Sequence, residues 1–165
     1  MSVSIYVLEC VILCAVFGVS IFGMLLVSPV SFIGDYPPEI QAQYYSSQHK
    51  EAAKEKMTFL TILRKSIAII AFLFLFAWMA HQVGAETFAE GLLFVYGYMI
   101  VLAAFDTCFL DWVLFANIKR VRLPGTEHMD REYHQKWFHV KVMLPMLPVF
   151  VVGGVIISLM MTWIW

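Results

Sequence analysis

Charge is scarce in this sequence: Asp, Glu, Lys and Arg make up 14% of its 165 residues, against 61% hydrophobic residues and a mean hydropathy of +0.79. Soluble domains run about 25% charged and 45–50% apolar, so a water-facing globular domain is excluded. Lys and Arg are missing altogether from residues 1–49, 66–118 and 142–165. Cysteine is rare as well. Cys10, Cys14 and Cys108 all fall in apolar stretches, where a thiol behaves as a small hydrophobe, so neither a disulfide framework nor a zinc site is expected. There is no C-x-x-C pair, no C-x-x-C-H haem attachment signature, no P-loop and no G-x-S-x-G. Nothing points to a nucleic-acid partner. The first apolar run lacks a basic n-region and a clear A-x-A site and is too long for an h-region, so it reads as a retained span rather than a leader.

What is present is sharply sorted. All eleven Lys and Arg residues lie in two windows, Lys50–Lys65 and Lys119–Lys141. A helix needs only ~20 apolar residues to cross the ~30 Å hydrocarbon core, and the middle Lys/Arg-free stretch is long enough for two. The chain therefore reads as a single integral membrane domain, all-α, a four-transmembrane-helix bundle. Its spans are placed at about 5–33, 63–82, 89–116 and 142–165, with a short turn at Gln82–Thr87. Lys/Arg excess marks the cytoplasmic side. The loops at about 34–62 and 117–141 are accordingly placed inside, and both termini outside, in a cytoplasmic (inner) membrane.

Small residues recur at spacings of four or seven on three spans: Cys10, Cys14 and Gly18; Glu90, Gly97, Ala104 and Asp111; Gly154, Ser158 and Thr162. Such stripes let helix backbones approach in lipid. Pro145 and Pro148 are expected to bend the start of the last span, and Trp163 and Trp165 suit an interfacial aromatic belt. In the first loop, Tyr36-Pro37-Pro38-Glu39 reads as a helix start. A charged helix from Gln48 towards Arg64 is expected to run on into the second span. In the second loop, Leu123-Pro124-Gly125 marks a turn and Thr126 an N-cap. Glu127–Lys141 then reads as an interfacial amphipathic helix, with Met129, Tyr133, Trp137 and Val140 on its apolar stripe.

Ionisable groups inside the membrane are the strongest candidates for chemistry, because a carboxylate at the bilayer centre costs about 2.5–3.5 kcal/mol on insertion scales. Asp106 lies roughly 15 Å from an inner boundary at Ala116 at ~1.5 Å rise per residue, and Asp111 about half as deep. On an α-helix they are about 140° apart and do not share a partner. Asp106 reads either as a proton- or cation-binding group or as an acid stitching helices through Tyr96, Tyr98 or Ser158. Asp111 could pair with Arg64, Lys65 or Arg120. Glu9 and Glu90 sit near the outer boundary. A second cluster, His128, Glu132, Gln135 and His139, falls along one face of the expected amphipathic helix and would allow a His-Glu-His metal arrangement in principle, although no cofactor follows from it. Arg120, Arg122, Arg131 and Lys136 could hold anionic lipid headgroups.

The segments Asp35–Gln41, Phe109–Trp112, Leu123–Glu127 and Trp137–Lys141 resemble a group of uncharacterised bacterial four-span membrane proteins. These share a Tyr-Pro element after the first span, an Asp-Trp near the inner end of the third, a Pro-Gly-Thr-Glu, and an aromatic-His pair leading into the fourth. The resemblance brings no activity. It implies that Asp111, Glu127 and His139 belong to one site, whereas this chain departs from the group at His128–His134. Three functions stay open: an oligomeric or partner-bound module that binds or moves a small ion or lipid, a membrane enzyme acting on a lipid or quinone-like substrate, and an accessory or scaffold subunit of a membrane complex.

Overall fold

The computed structural model describes residues 2–48 and 58–165. The protein is all-α, with no strand among the described residues. Four helical stretches are long and apolar enough to cross a membrane: Val3–Val27, Phe59–Gln82, Phe88–Phe115 and Lys136–Ile164. This is the make-up of a multi-pass membrane protein. The first, α1 (Val3–Val27), stops short of the expected Ile33. Pro29 cannot extend an α-helix, and Pro29–Asp35 winds instead as a 3₁₀ turn.

Helix α2 (Pro38–Ser47) begins with Pro38 in its first turn, as the Pro-Pro-Glu signal predicts. The charged helix expected from Gln48 falls largely on residues 49–57, outside the described residues. Thr58 is extended, and its hydroxyl accepts the Thr61 N–H at 3.2 Å, so α3 (Phe59–Gln82) starts afresh with its own N-cap. The connection to α4 (Phe88–Phe105) is the expected short turn, with Gly84 at φ 86°. Thr87 and Glu90 form a capping box there: the Thr87 hydroxyl accepts from Glu90 N–H at 3.3 Å, and the Glu90 carboxylate accepts from Thr87 N–H at 3.0 Å. Glu90 therefore caps its own helix.

The last span begins earlier than expected, at Lys136, because α6 (Lys136–Met143) leads through a 3₁₀ turn at Leu144–Met146 into α7 (Leu147–Ile164). The turn falls at Pro145, and Pro148 sits in the first turn of α7, where a missing N–H costs least. The interfacial amphipathic helix expected over Glu127–Lys141 is not one helix. A single turn, α5 (Asp130–Tyr133), ends at His134, and α6 starts two residues later. Thr126 is no N-cap. It is fully buried, with its hydroxyl bonded to the Leu123 carbonyl at 2.7 Å and to the Tyr133 hydroxyl at 2.7 Å.

The chain packs as two compact units. One comprises Met1–Ile12, Lys54–Leu102 and Met146–Trp165. Its closest approaches occur at small residues: an added Cβ on Gly154 would strike the Tyr96 ring, one on Gly97 would strike the Tyr6 hydroxyl, and one on Gly91 would lie 3.3 Å from Ser158 Cβ. In the same unit the buried Tyr98 donates to the Glu9 carboxylate. Gly97, Gly154 and Ser158 thus serve the close packing expected of their stripes.

The other unit comprises Leu13–Ala53 and Ala103–Pro145. Its core gathers Phe22, Leu25, Tyr36, Ile40, Tyr44, Leu110, Phe115, Val121, Leu123 and Tyr133. Two buried tyrosines pin the 121–126 loop: Tyr36 donates to the Val121 carbonyl at 2.6 Å, and Tyr133 accepts the Leu123 N–H at 2.9 Å. Tyr133→Phe strands that N–H and removes one of the two bonds of the Thr126 hydroxyl. A stability loss of about 1–3 kcal/mol is expected, read as a lower melting temperature in detergent. An unchanged melting temperature would show that these bonds do not hold the loop.

Candidate functional site

The helix of the third span changes its winding at Asp106. Over Asp106–Phe115 the backbone forms a π-helix, which closes with the Ala116 N–H on the Asp111 carbonyl. Bonding from i to i+5 stacks residues five apart near one line instead of turning them away from each other. The expectation that Asp106 and Asp111 face different partners is thereby corrected. Asp106 lies within electrostatic reach of Asp111, His139 and Asp35. The partners proposed for it are engaged elsewhere: Tyr96 donates to the Val151 carbonyl at 2.9 Å, Tyr98 to Glu9, and Ser158 to the Gly154 carbonyl at 2.8 Å.

The π segment also grips α6. Asp111 Oδ2 sits 3.1 Å from His139 Nδ1, the two side chains being 22% and 12% exposed. The next residue, Trp112, donates its indole N–H to the Lys136 carbonyl at 3.0 Å, and the Lys136 ammonium lies 5.5 Å from the centre of the same ring. Adjacent Asp and Trp side chains thus hold positions 139 and 136 of one helix. The Phe115 ring meets His139 edge-on at 5.4 Å and continues to Tyr36 at 5.0 Å and Tyr133 at 5.5 Å, which ties the imidazole to the aromatic core of the unit. The partner that Asp111 meets within this unit is therefore His139, where Arg64, Lys65 or Arg120 had been expected.

Asp35 joins this cluster from the end of the 3₁₀ turn, directly before the buried Tyr36. It is accessible over the residue as a whole. Its carboxyl is nonetheless pushed above the ordinary aspartate range, first by desolvation and then by the charge of Asp111, with His139 pulling the other way. Sequence reasoning passed over Asp35 because it precedes a Tyr-Pro-Pro turn and reads as loop. The signal that could have found it was its place inside the same Tyr-Pro segment that carries the resemblance.

The other expected site residues fall differently. Glu127 accepts the Gly125 N–H at 3.1 Å, bracing the turn that Gly125 makes at φ 83°. His128 lies in the exposed turn before α5. With the helix broken at His134 and Gln135, residues His128, Glu132 and His139 do not share a face, which removes the basis of the His-Glu-His arrangement. No group of three or more His, Cys, Asp or Glu among the described residues is arranged to hold a metal ion.

Of the four cations assigned to headgroups, Arg120, Arg131 and Lys136 are exposed. Arg122 is turned inward, its side chain 6% exposed. It donates to the Glu127 carbonyl at 2.7 Å, pairs with Asp130 and lies 5.0 Å over the Tyr133 ring. The pairing holds Asp130 below the usual carboxylate range. No protein-family model matches the sequence, and neither a curated protein nor a solved structure does.

The direction at Asp35 has a consequence for stability. An acid whose folded range lies above its unfolded one favours the fold at low pH and loses that contribution as pH rises through the folded value. Asp35→Asn is therefore expected to melt higher than the unsubstituted protein at pH 7, with the difference closing as pH falls towards the ordinary carboxylate range. Thermal unfolding at several pH values checks this, and a lower melting temperature at pH 7 would contradict it.

Proposed function

We propose that this chain is a membrane module that binds and moves a proton through Asp35, Asp106, Asp111 and His139. It works in the cytoplasmic membrane as a homo-oligomer or with a partner membrane protein, its basic loops inside. The observation that carries the reading is a mismatch of charge. One imidazole, in contact with Asp111, lies within electrostatic reach of Asp35 and Asp106 as well, and it can balance only one of the three carboxylates. Excess negative charge at the end of an apolar span is costly unless a proton or cation joins it. The π-helix adds support, since such segments occur frequently at functional sites. Four helices are few for a lone transporter, which favours assembly. The kinship suggested by the Asp-Trp and aromatic-His segments fits the same reading, because those residues meet in the cluster.

A second reading, an enzyme acting on a lipid or quinone-like substrate, draws on the Asp111–His139 contact at 3.1 Å, an arrangement that orients an imidazole for acid–base work.

Reconstitution into vesicles carrying a trapped pH dye, under an imposed membrane potential, separates the outcomes. Proton entry above that of empty vesicles is expected, with a drop of at least about tenfold, one pKa unit's worth of binding, in Asp106→Asn and in His139→Ala. Entry equal to that of empty vesicles, or unchanged in both variants, would overturn proton movement and leave the enzyme or scaffold readings.

A further inference from the structure

A second feature of the unit built from Leu13–Ala53 and Ala103–Pro145 stands apart from the carboxylate cluster. Between the start of α2 and the start of α6 lies a cavity of about 600 Å³, lined by Pro38, Glu39, His134, Lys136, Trp137 and Lys141 among others. That volume falls within the ~300–1,000 Å³ of small-ligand sites. Its charges are unbalanced: Lys136 and Lys141, with the His134 ring beside them, face Glu39 as the one acid of the lining. The other groups near His134 are already committed, since His134 Nδ1 lies 2.7 Å from the Asp130 carbonyl and Asp130 pairs with Arg122. The Lys136 ammonium rests over the Trp112 ring, a contact that leaves its N–H donors free for an anion.

Position decides what kind of anion fits. Lys136 is the first residue of the apolar stretch Lys136–Ile164, which is long enough to cross a membrane, so the cavity lies at one end of that stretch. Trp137 is 70% exposed, as an interfacial aromatic would be. Residues 137, 141 and 144 follow one helical face at spacings of four and three. Along it an exposed Trp gives way to an exposed Lys and then to Leu144, 56% exposed, with Val142 beside it at 52%. A ligand lying on this face meets the Lys141 ammonium at one end, with Lys136 contributing from the adjoining wall of the cavity, and bare apolar surface at the other. An anionic phospholipid has that polarity and a free phosphate ester does not.

We propose that this cavity is a specific site for the headgroup of an anionic phospholipid, held by Lys136 and Lys141, with the acyl chains running down α6 past Leu144. The site differs from a general basic patch in that Arg120, although exposed, takes no part, and Arg122 is spent inside the protein.

The test is native mass spectrometry of the full-length detergent-purified protein offered equal amounts of phosphatidylglycerol and phosphatidylcholine with identical chains. Selective retention of phosphatidylglycerol is expected. At about fivefold per basic residue near a membrane surface, Lys141→Gln should weaken retention about fivefold and Lys136→Gln with Lys141→Gln about 25-fold. Arg120→Gln should change it less than about twofold on the same scale. Lys141 is exposed and unneeded for packing, so its variant reads binding and not folding; circular dichroism confirms helix content. Equal retention of both lipids, or an Arg120→Gln effect as large as that of Lys141→Gln, would overturn the proposal. So would displacement of the lipid by an equal concentration of glycerol phosphate, which would mark a soluble phosphate-ester site.

Discussion

The winding of Asp106–Phe115 governs the rest of the candidate site. Bonding five residues back, rather than four, turns Asp106 and Asp111 towards one side and points Asp111 and Trp112 at α6. Were this segment α-helical, the two acids would diverge by about 140°, and no common site could include both. Such π segments are rare and frequently mark functional sites. Here the altered register aligns a carboxylate–imidazole contact, an indole–carbonyl bond and an aromatic contact from Phe115, all onto α6.

That grip links the two loops as well as the helix. Phe115 touches Tyr36 and Tyr133, whose hydroxyls reach Val121 and Leu123, so the polar cluster and the apolar core of the unit share the same rings. Asp35 stays in the cluster because Tyr36 beside it is wholly buried. Glu127, expected at a site, and Arg122, expected at headgroups, instead hold a tight turn together with the buried Thr126 hydroxyl, which must be bonded once it is buried.

Much of the fold was legible. Long runs without Lys or Arg can only be reconciled with lipid, and Pro145 and Pro148 announced the bend at the start of the last span, whereas Pro29, beyond the end of α1, lay inside the expected first span. The helix starts at Thr58 and Thr87 were not read from the charge pattern: a continuous charged helix was expected through Thr58, and Glu90 read only as an acid near the outer boundary. The site was legible only in part. Asp111 and His139 were picked out by their segments, but their approach depends on a winding that residue types do not announce, since α and π helices differ in bonding register and not in composition. Periodicity counted at 3.6 residues therefore sent Asp106 and Asp111 apart. The same counting drew one amphipathic helix through His134 and Gln135, where the chain breaks because Tyr133 is pulled inward to bond Leu123.

The most direct check is whether the acids of the cluster feel one another. The carboxyl stretch of Asp35, isolated by infrared difference against Asp35→Asn, gives its titration midpoint in the intact protein. Because the Asp111 charge raises that midpoint and the His139 charge lowers it, Asp111→Asn should move it down and His139→Ala should move it up. A midpoint that stays in place in both variants would mean that Asp35, Asp111 and His139 do not form one site.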